Sequence, residues 1–206
     1  MPATESGGEP DARPGNPSPL DALRDWYEEA VAAGVPEPET MALATASPEG
    51  MPSVRMVLLK AVDDRGVQFF TNYESRKGRE LASNPRAAAT LYWQPQHRAV
   101  RFAGPVEVLE PELSDAYFAS RGRGSRLGAW ASRQGSEIGA REELEAAWAA
   151  VDERYGDDVP RPPYWGGYRL VPDSIELWQG RPSRLHDRTH FVREPDGSWR
   201  EQRLAP

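Results

Sequence analysis

The chain has 206 residues, with 25 Lys and Arg against 32 Asp and Glu, a formal net charge of −7. That acidity argues against a nucleic-acid partner and makes any basic cluster a candidate for a small anion. Cysteine is absent, which excludes disulfides, thiolate metal sites and a Cys nucleophile and fits a reducing, cytoplasmic setting. No apolar run reaches membrane-spanning length, and Met1-Pro2-Ala3-Thr4-Glu5 lacks the basic and apolar regions of a signal peptide.

Residues 1–17 are rich in Pro, Gly, Glu and Ala. They are expected to form a disordered tail before one domain over residues 18–206. Ser18-Pro19-Leu20-Asp21 predicts a helix start, with Ser18 as cap and Asp21 completing a capping box. Leu20, Leu23, Tyr27, Ala30 and Val31 form its apolar stripe, and Gly34 ends it. Met41 to Ala46 and the segment from Pro52 onward predict two strands around the turn Ser47-Pro48-Glu49-Gly50. An apolar strand over Val54 to Val62 follows, then the turn Asp63-Asp64-Arg65-Gly66 and a return strand, Val67 to Thr71.

Ser75 predicts the N-cap of a helix closing near Asn84-Pro85. Arg76 and Lys77 fall in its first turn, where free N–H groups and the helix dipole already present positive charge. Two readings stand: a pair of solvated cations, or an anion gripped by backbone and side chains together. Farther on, strands are predicted over Ala87 to Trp93 and Arg98 to Leu109, the latter bent at Gly104-Pro105. A helix follows from Pro111 through Phe118. Ser120 to Arg126 is a glycine-spaced loop with three arginines, again either surface decoration or a phosphate site. Tyr117, Arg121 and Ser125 are spaced four apart, so they share a face if the helix continues.

Glu142 to Tyr155 is an amphipathic helix with a stripe of Leu144, Trp148, Val151 and Tyr155. Pro160 to Pro163 is a linker. Trp165 to Tyr168 leads into a strand, Ile175 to Gln179 forms another, and Phe191 to Leu204 forms a closing hairpin. Between them lies Arg184-Leu185-His186-Asp187-Arg188. On a strand, Arg184, His186 and Arg188 share one face and repel one another unless an anion neutralises them. Strand-after-strand order predicts a mostly β, antiparallel α+β domain. The spacing of His97, His186 and His190 makes no metal site. Without an evident nucleophile, the basic clusters point to a cofactor that carries the chemistry.

Arg55 to Lys60, Phe70-Thr71-Asn72 and Ser75-Arg76-Lys77-Gly78 resemble the flavin-binding core of the pyridoxamine/pyridoxine 5'-phosphate oxidases. The likeness extends through Tyr117-Phe118-Ala119-Ser120-Arg121, Ser132-Arg133-Gln134, Trp165-Gly166-Gly167, Trp178-Gln179-Gly180 and Arg184 to Arg188, and ends at Arg203-Leu204-Ala205-Pro206. The resemblance implies an FMN-binding split barrel with peripheral helices. It also implies a homodimer with sites at the interface, and oxidation of phosphorylated B6 vitamers by O2 with release of H2O2. By position it implies FMN contacts from Arg55, Met56, Val57, Leu58, Leu59 and Lys60. Phe70, Thr71, Arg76 and Lys77 would add to these, as would Gln134, Gly135, Trp178 and Arg188. Lys60, Tyr117, Arg121 and Ser125 would hold the substrate phosphate. Arg184, Leu185 and His186 would lie over the substrate ring, with Arg184 and His186 as the catalytic pair. A relative on the same fold that oxidises another reduced ring, as in phenazine pathways, is the alternative enzyme; a flavin-binding protein without turnover is the non-enzymatic one. The chain departs from the family at Ala99, where a glutamine is usual. Loss of that one neutral hydrogen bond is expected to weaken FMN binding by about 1 kcal/mol. It departs again in its N-terminal tail, which lacks an Arg-Arg-x-Tyr-like segment.

Overall fold

The computed structural model describes residues 18–206, and the tail expected over residues 1–17 lies outside the described residues. The frame is antiparallel throughout. Strands β1 (Thr40–Ala46), β2 (Pro52–Leu58), β5 (Arg86–Trp93) and β6 (Arg98–Val108) are joined by β8 (Ser174–Gln179), β9 (Asp187–Arg193) and β10 (Trp199–Arg203) in the order β10-β9-β8-β6-β5-β1-β2. The short β3 (Ala61–Val62), β4 (Val67–Asn72) and β7 (Trp165–Leu170) form a second patch, in which β4 pairs with β3 and β7.

The two patches meet on β6. It pairs with β8 over Arg98–Ala103 and with β7 over Val106–Val108. The change of partner falls at the predicted bend, Gly104-Pro105. A Cβ on Gly104 would lie 2.1 Å from the Val171 carbonyl oxygen, so only glycine lets the two backbones approach this closely. Met41, Leu43, Phe69, Leu91, Phe102 and Ile175 fill the interior from both patches.

Five helices stand around this sheet among the described residues: α1 (Pro19–Ala32), α2 (Arg76–Ser83), α3 (Pro111–Ser120), α4 (Arg123–Ala131) and α5 (Arg141–Tyr155). Ser18 caps α1 by accepting from the Leu20 N–H. The expected capping box is not the one found, because the Asp21 carboxylate engages Arg24 at 2.7 Å. Leu20, Leu23 and Ala30 are buried as expected, but Val31 is 51% exposed, so the apolar stripe of α1 is narrower than its periodicity implied. On α5, Leu144, Val151 and Tyr155 are half-buried, whereas Trp148 is exposed.

Three expectations are corrected. The strand over Val54 to Val62 is broken: β2 ends at Leu58 and β3 begins at Ala61. The break arises because the Lys60 N–H is taken by the Gln68 carbonyl, pulling the chain towards β4. The glycine-spaced loop is shorter than expected, because α4 begins at Arg123 and runs through Gly124 and Gly128. Glycine disfavours a helix interior, which concealed this one. Last, Arg184 lies in a 3-10 turn over Pro182–Arg184, and strand β9 begins only at Asp187. Arg184, His186 and Arg188 therefore do not share a strand face.

Candidate active site

Ser75 caps α2 as expected, its hydroxyl accepting from the Gly78 N–H at 3.3 Å. A Cβ on Gly78 would lie 2.1 Å from the Tyr73 carbonyl oxygen. Glycine there lets the helix start pack onto the end of β4. That packing buries Lys77, which is 7% exposed. Its ammonium donates to Thr71 Oγ1 at 3.0 Å, to Ser75 Oγ at 3.2 Å and to Gln134 Oε1 at 2.8 Å. Thr71 also donates to Gln134 Oε1, at 3.1 Å. Burial, reinforced by nearby Arg55, pulls the Lys77 ammonium down to about 8. A buried amine beside another cation is poised to take an anion.

Lys77 opens into a cavity of about 250 Å³ that is also lined by Met56, Leu58, Lys60, Phe70 and Tyr117. One wall is a stack of three near-parallel rings. Phe70 lies 4.0 Å from Tyr117 between centroids, and Trp165 lies 5.7 Å from Phe70. Lys60 reaches within 6.0 Å of the Tyr117 ring. Met56, Leu58 and Lys60 are two residues apart and keep one face towards this cavity, Lys60 from beyond the break after Leu58.

A second cavity, of about 300 Å³, shares Arg121, Gln134 and Trp165 with the first and adds Ser125 and Gly128. Helix α3 ends at Ser120 and Arg121 leaves it in an extended conformation, so that Arg121 lines both cavities, with Tyr117 on the first and Ser125 on the second. Its guanidinium stacks 4.6 Å over Trp165. One of its terminal nitrogens is buried without a hydrogen-bond partner among the described residues, as is Arg126 Nε. An unpartnered buried cation is costly, so the nitrogen of Arg121 marks where an anionic group fits. Arg123, by contrast, is engaged by Asp152 and the Gly156 carbonyl. We expect Arg121→Met to leave the melting temperature of the ligand-free protein unchanged or raised. The same change should lift KM roughly 10- to 150-fold, the range for one hydrogen bond to a charged group. Thermal unfolding and steady-state kinetics on the same preparation check both halves.

Arg55 and Arg76 do not line these cavities. Arg76 Nε donates to Glu80 at 2.8 Å, one helical turn on. Arg55 donates to Thr45, to Ser53 and, at 3.4 Å, to the same Glu80. Glu80 is 7% exposed, and hydroxyls of Ser53 and Thr45 together with Arg76 hold its carboxyl down at about 2. Sequence reasoning passed over Glu80, although its place four residues after Arg76 was a usable signal.

Leu59 is buried in the core and Gly135 lines a surface cavity beside Arg133, while Trp178, Arg184, Leu185, His186 and Arg188 form a separate cluster on β8, the turn after it and the start of β9. The His186 ring packs 4.6 Å from Trp178, and its Nδ1 accepts from the Arg181 N–H at 3.1 Å. Arg188 is neutralised within the chain by Glu176, through bonds of 2.8 and 3.0 Å, and also donates to the Ala205 carbonyl. A cavity of about 350 Å³ runs beside His186 and Arg188, with Arg203 and Leu204 on its far side. Ser183 and Arg184 both have left-handed backbone, at φ 59° and 62°. The Arg184 side chain has no hydrogen bond or ion pair among the described residues. Leu185 is 69% exposed. Ala99 is buried between its strand partners Tyr92 and Trp178. No hydrogen bond, ring contact or cavity wall joins this cluster to the Lys77–Arg121 cluster among the described residues.

Fold and site thus define a split-barrel protein with a cation-lined pocket between β2, β4 and the start of α2. The chain belongs to the pyridoxamine 5'-phosphate oxidase family. The model of that family matches residues 27–155, and the model described as the pyridoxine 5'-phosphate oxidase C-terminal dimerisation region matches residues 165–206. A pyridoxine/pyridoxamine 5'-phosphate oxidase of Burkholderia lata is 60% identical over 183 residues, covering 88% of this chain and 86% of the relative. One from Ralstonia nicotianae is 56% identical over 191 residues, covering 93% and 90%. Among solved structures, PhzG from Burkholderia lata in complex with tetrahydrophenazine-1-carboxylic acid is 36% identical, with a TM-score of 0.88 over 95% of each chain. An FMN binding protein of Nostoc punctiforme, related to pyridoxamine 5'-phosphate oxidase, is 16% identical with a TM-score of 0.75, covering 93% of this chain and 100% of that one. That last likeness bears on the fold alone. No helix among the described residues is long and apolar enough to cross a membrane.

Proposed function

We propose that the protein is an FMN-dependent oxidase of pyridoxamine 5'-phosphate and pyridoxine 5'-phosphate. The amine would react with O2 and water to give pyridoxal 5'-phosphate, ammonia and H2O2, and the alcohol with O2 to give the same aldehyde and H2O2. The observation that carries the reading is the buried, unpartnered guanidinium nitrogen of Arg121, at the junction of two cavities beside an aromatic wall. It supports a phosphorylated ring as ligand. The relatives that are 54–60% identical are named for that reaction.

FMN fits the neighbouring residues: Lys77 and Thr71 offer a buried ammonium and a hydroxyl for its phosphate, with Arg55 and Arg76 behind them. The Met56–Leu59 segment, Phe70, Gln134 and Gly135 would hold the rest. When bound, FMN supplies the acceptor for the hydride leaving the substrate C4' carbon and passes both electrons on to O2. The chain's own part is binding and orientation. Lys60, Tyr117, Arg121 and Ser125 would seat the substrate phosphate. Trp178 and Arg188 would face the flavin, and Arg184, Leu185 and His186 would cover the substrate ring.

The two clusters are separate within one chain, which supports a homodimer in which each site takes one cluster from each copy. The outer face of β2 supports this too, since Val54, Met56 and Leu58 are exposed there with Tyr92 on β5. The segment matched by the dimerisation region also carries the second cluster. Sedimentation is expected to give a dimer, and a monomer active at nanomolar concentration would refute the shared site.

The likeness to PhzG, whose structure holds tetrahydrophenazine-1-carboxylic acid, favours a second reading: oxidation of another reduced ring. One anaerobic experiment separates the two. FMN-loaded protein is mixed with pyridoxine 5'-phosphate, or the amine, without oxygen, and the flavin absorbance is followed. Bleaching that reverses on admission of air supports the proposal. Flavin that binds without bleaching with either vitamer favours the phenazine-type substrate.

A further inference from the structure

We propose that Glu80 is a positioning residue that sets the protein's preference for a phosphorylated flavin. The inference rests on the FMN reading given above. Three cations converge on the start of α2: Arg55 from β2, and Arg76 and Lys77 from the helix itself. Glu80 is the carboxylate that touches two of them, bonding Arg76 Nε at 2.8 Å and Arg55 at 3.4 Å. It does so from a buried position, fixed by the hydroxyls of Ser53 and Thr45. One acidic side chain therefore ties β1, β2 and α2 together and holds both guanidinium groups at fixed places. Long arginines otherwise spread over many rotamers, and fixing them beforehand removes that entropy from the binding step.

Charge balance sets the ligand class. Three cations and one carboxylate leave a net charge of +2 at the helix start. A phosphate monoester carries about −1.5 to −2 at pH 7. FMN closes that balance, whereas riboflavin, the same ring system with a free hydroxyl, leaves it open. Without Glu80 the three cations would stand at +3, with Arg76 unheld and Arg55 kept by Thr45 and Ser53 but facing no carboxylate, and Lys77 is already strained by burial and by Arg55. Glu80 thus makes a dense cation cluster tolerable in the empty protein and aims it at a dianion.

The test compares FMN and riboflavin dissociation constants, from flavin fluorescence, for the full-length protein and for Glu80→Gln. The amide is isosteric, and its carbonyl still accepts from Ser53 and Thr45. We expect FMN affinity to fall roughly tenfold or more, the scale of one charge-assisted hydrogen bond, with riboflavin unchanged, so that the ratio of the two collapses. A purely structural role would lower the melting temperature and leave the ratio intact, which would overturn the proposal. So would tighter FMN binding in the variant, because Glu80 would then be only a repulsive charge. Should Glu80→Gln fail to fold, Arg76→Ala removes the more exposed partner, and an unchanged ratio there would equally refute the idea. Wild-type protein that binds neither flavin would refute the flavin reading itself. Wild-type protein that prefers FMN while Glu80→Gln keeps the preference would refute the role of Glu80 alone.

Discussion

Flavin affinity is expected to be highest between about pH 6 and pH 8 and to fall as the pH rises further. The lower limit is the second ionisation of a phosphate monoester, near 6. The upper limit is Lys77, whose ammonium loses its proton at about 8 in the ligand-free protein because it is buried and lies near Arg55. Bound phosphate needs that proton, so affinity drops once the amine is neutral. The stability of the ligand-free protein should move the other way. The folded-state value lies below the ordinary 10.5, so the unfolded chain binds more protons between about 8 and 10.5, and stability contributed by this group rises across that window. Opposite slopes from one side chain are a specific signature. Lys77→Met should remove both, and weaken FMN at neutral pH roughly 10- to 150-fold, the range for one hydrogen bond to a charged group. Fluorescence titrations from pH 6 to 10, paired with thermal unfolding, measure the two slopes. Equal pH profiles for wild type and Lys77→Met would refute the assignment.

Arg184→Ala is expected to lower kcat by about two to three orders of magnitude, as for loss of one preorganised donor, while FMN affinity stays at its wild-type value. Arg184 stands on two successive left-handed residues, a backbone that disfavours non-glycine side chains. Its guanidinium is bound by none of the described residues, unlike neighbouring Arg181, which pairs with Asp187 at 2.7 Å. A strained, unengaged cation contributes little to the fold, so its removal should leave the melting temperature near wild type. Rapid-reaction measurement of anaerobic flavin bleaching isolates the step concerned. Full activity in the variant would remove Arg184 from the site.

Local chemistry was readable along the chain. The bend at Gly104-Pro105 was marked by its own two residues, although the distant Val171 backbone shapes it. The Ser75 cap, the turn at Asp63 to Gly66 and the closing hairpin depend on neighbours within a few residues. So does the trio of Tyr117, Arg121 and Ser125, although the helix that was to align them ends one residue before Arg121. What stayed hidden depends on pairing across the sheet. Arg188 looked like a cation in need of an anion because its neutralising partner, Glu176, comes from the adjacent strand. Arg76 looked free at a helix start because the burial of Glu80 requires Ser53 and Thr45 from β2 and β1. Helix α4 was concealed by its own glycines. The break after Leu58 was concealed by the mostly apolar residues on both sides of it, and the distant Glu39 and Gln68 carbonyls, which take the N–H groups of Leu59 and Lys60, explain it.

The change of partners along β6 also bears on the order in which the molecule can be made. Strand β7 covers the edges of β4 and β6, and the pairing of Val67 with Leu170 joins positions roughly a hundred residues apart. Every strand that completes the sheet beyond β6 lies after Trp165. During synthesis the ribosome therefore releases β1 to β6 while their open edges still lack partners, and such edges invite pairing with other chains. Closure must wait for the C-terminal segment, so a chain stopped before Trp165 should accumulate as insoluble aggregate rather than as a smaller folded unit.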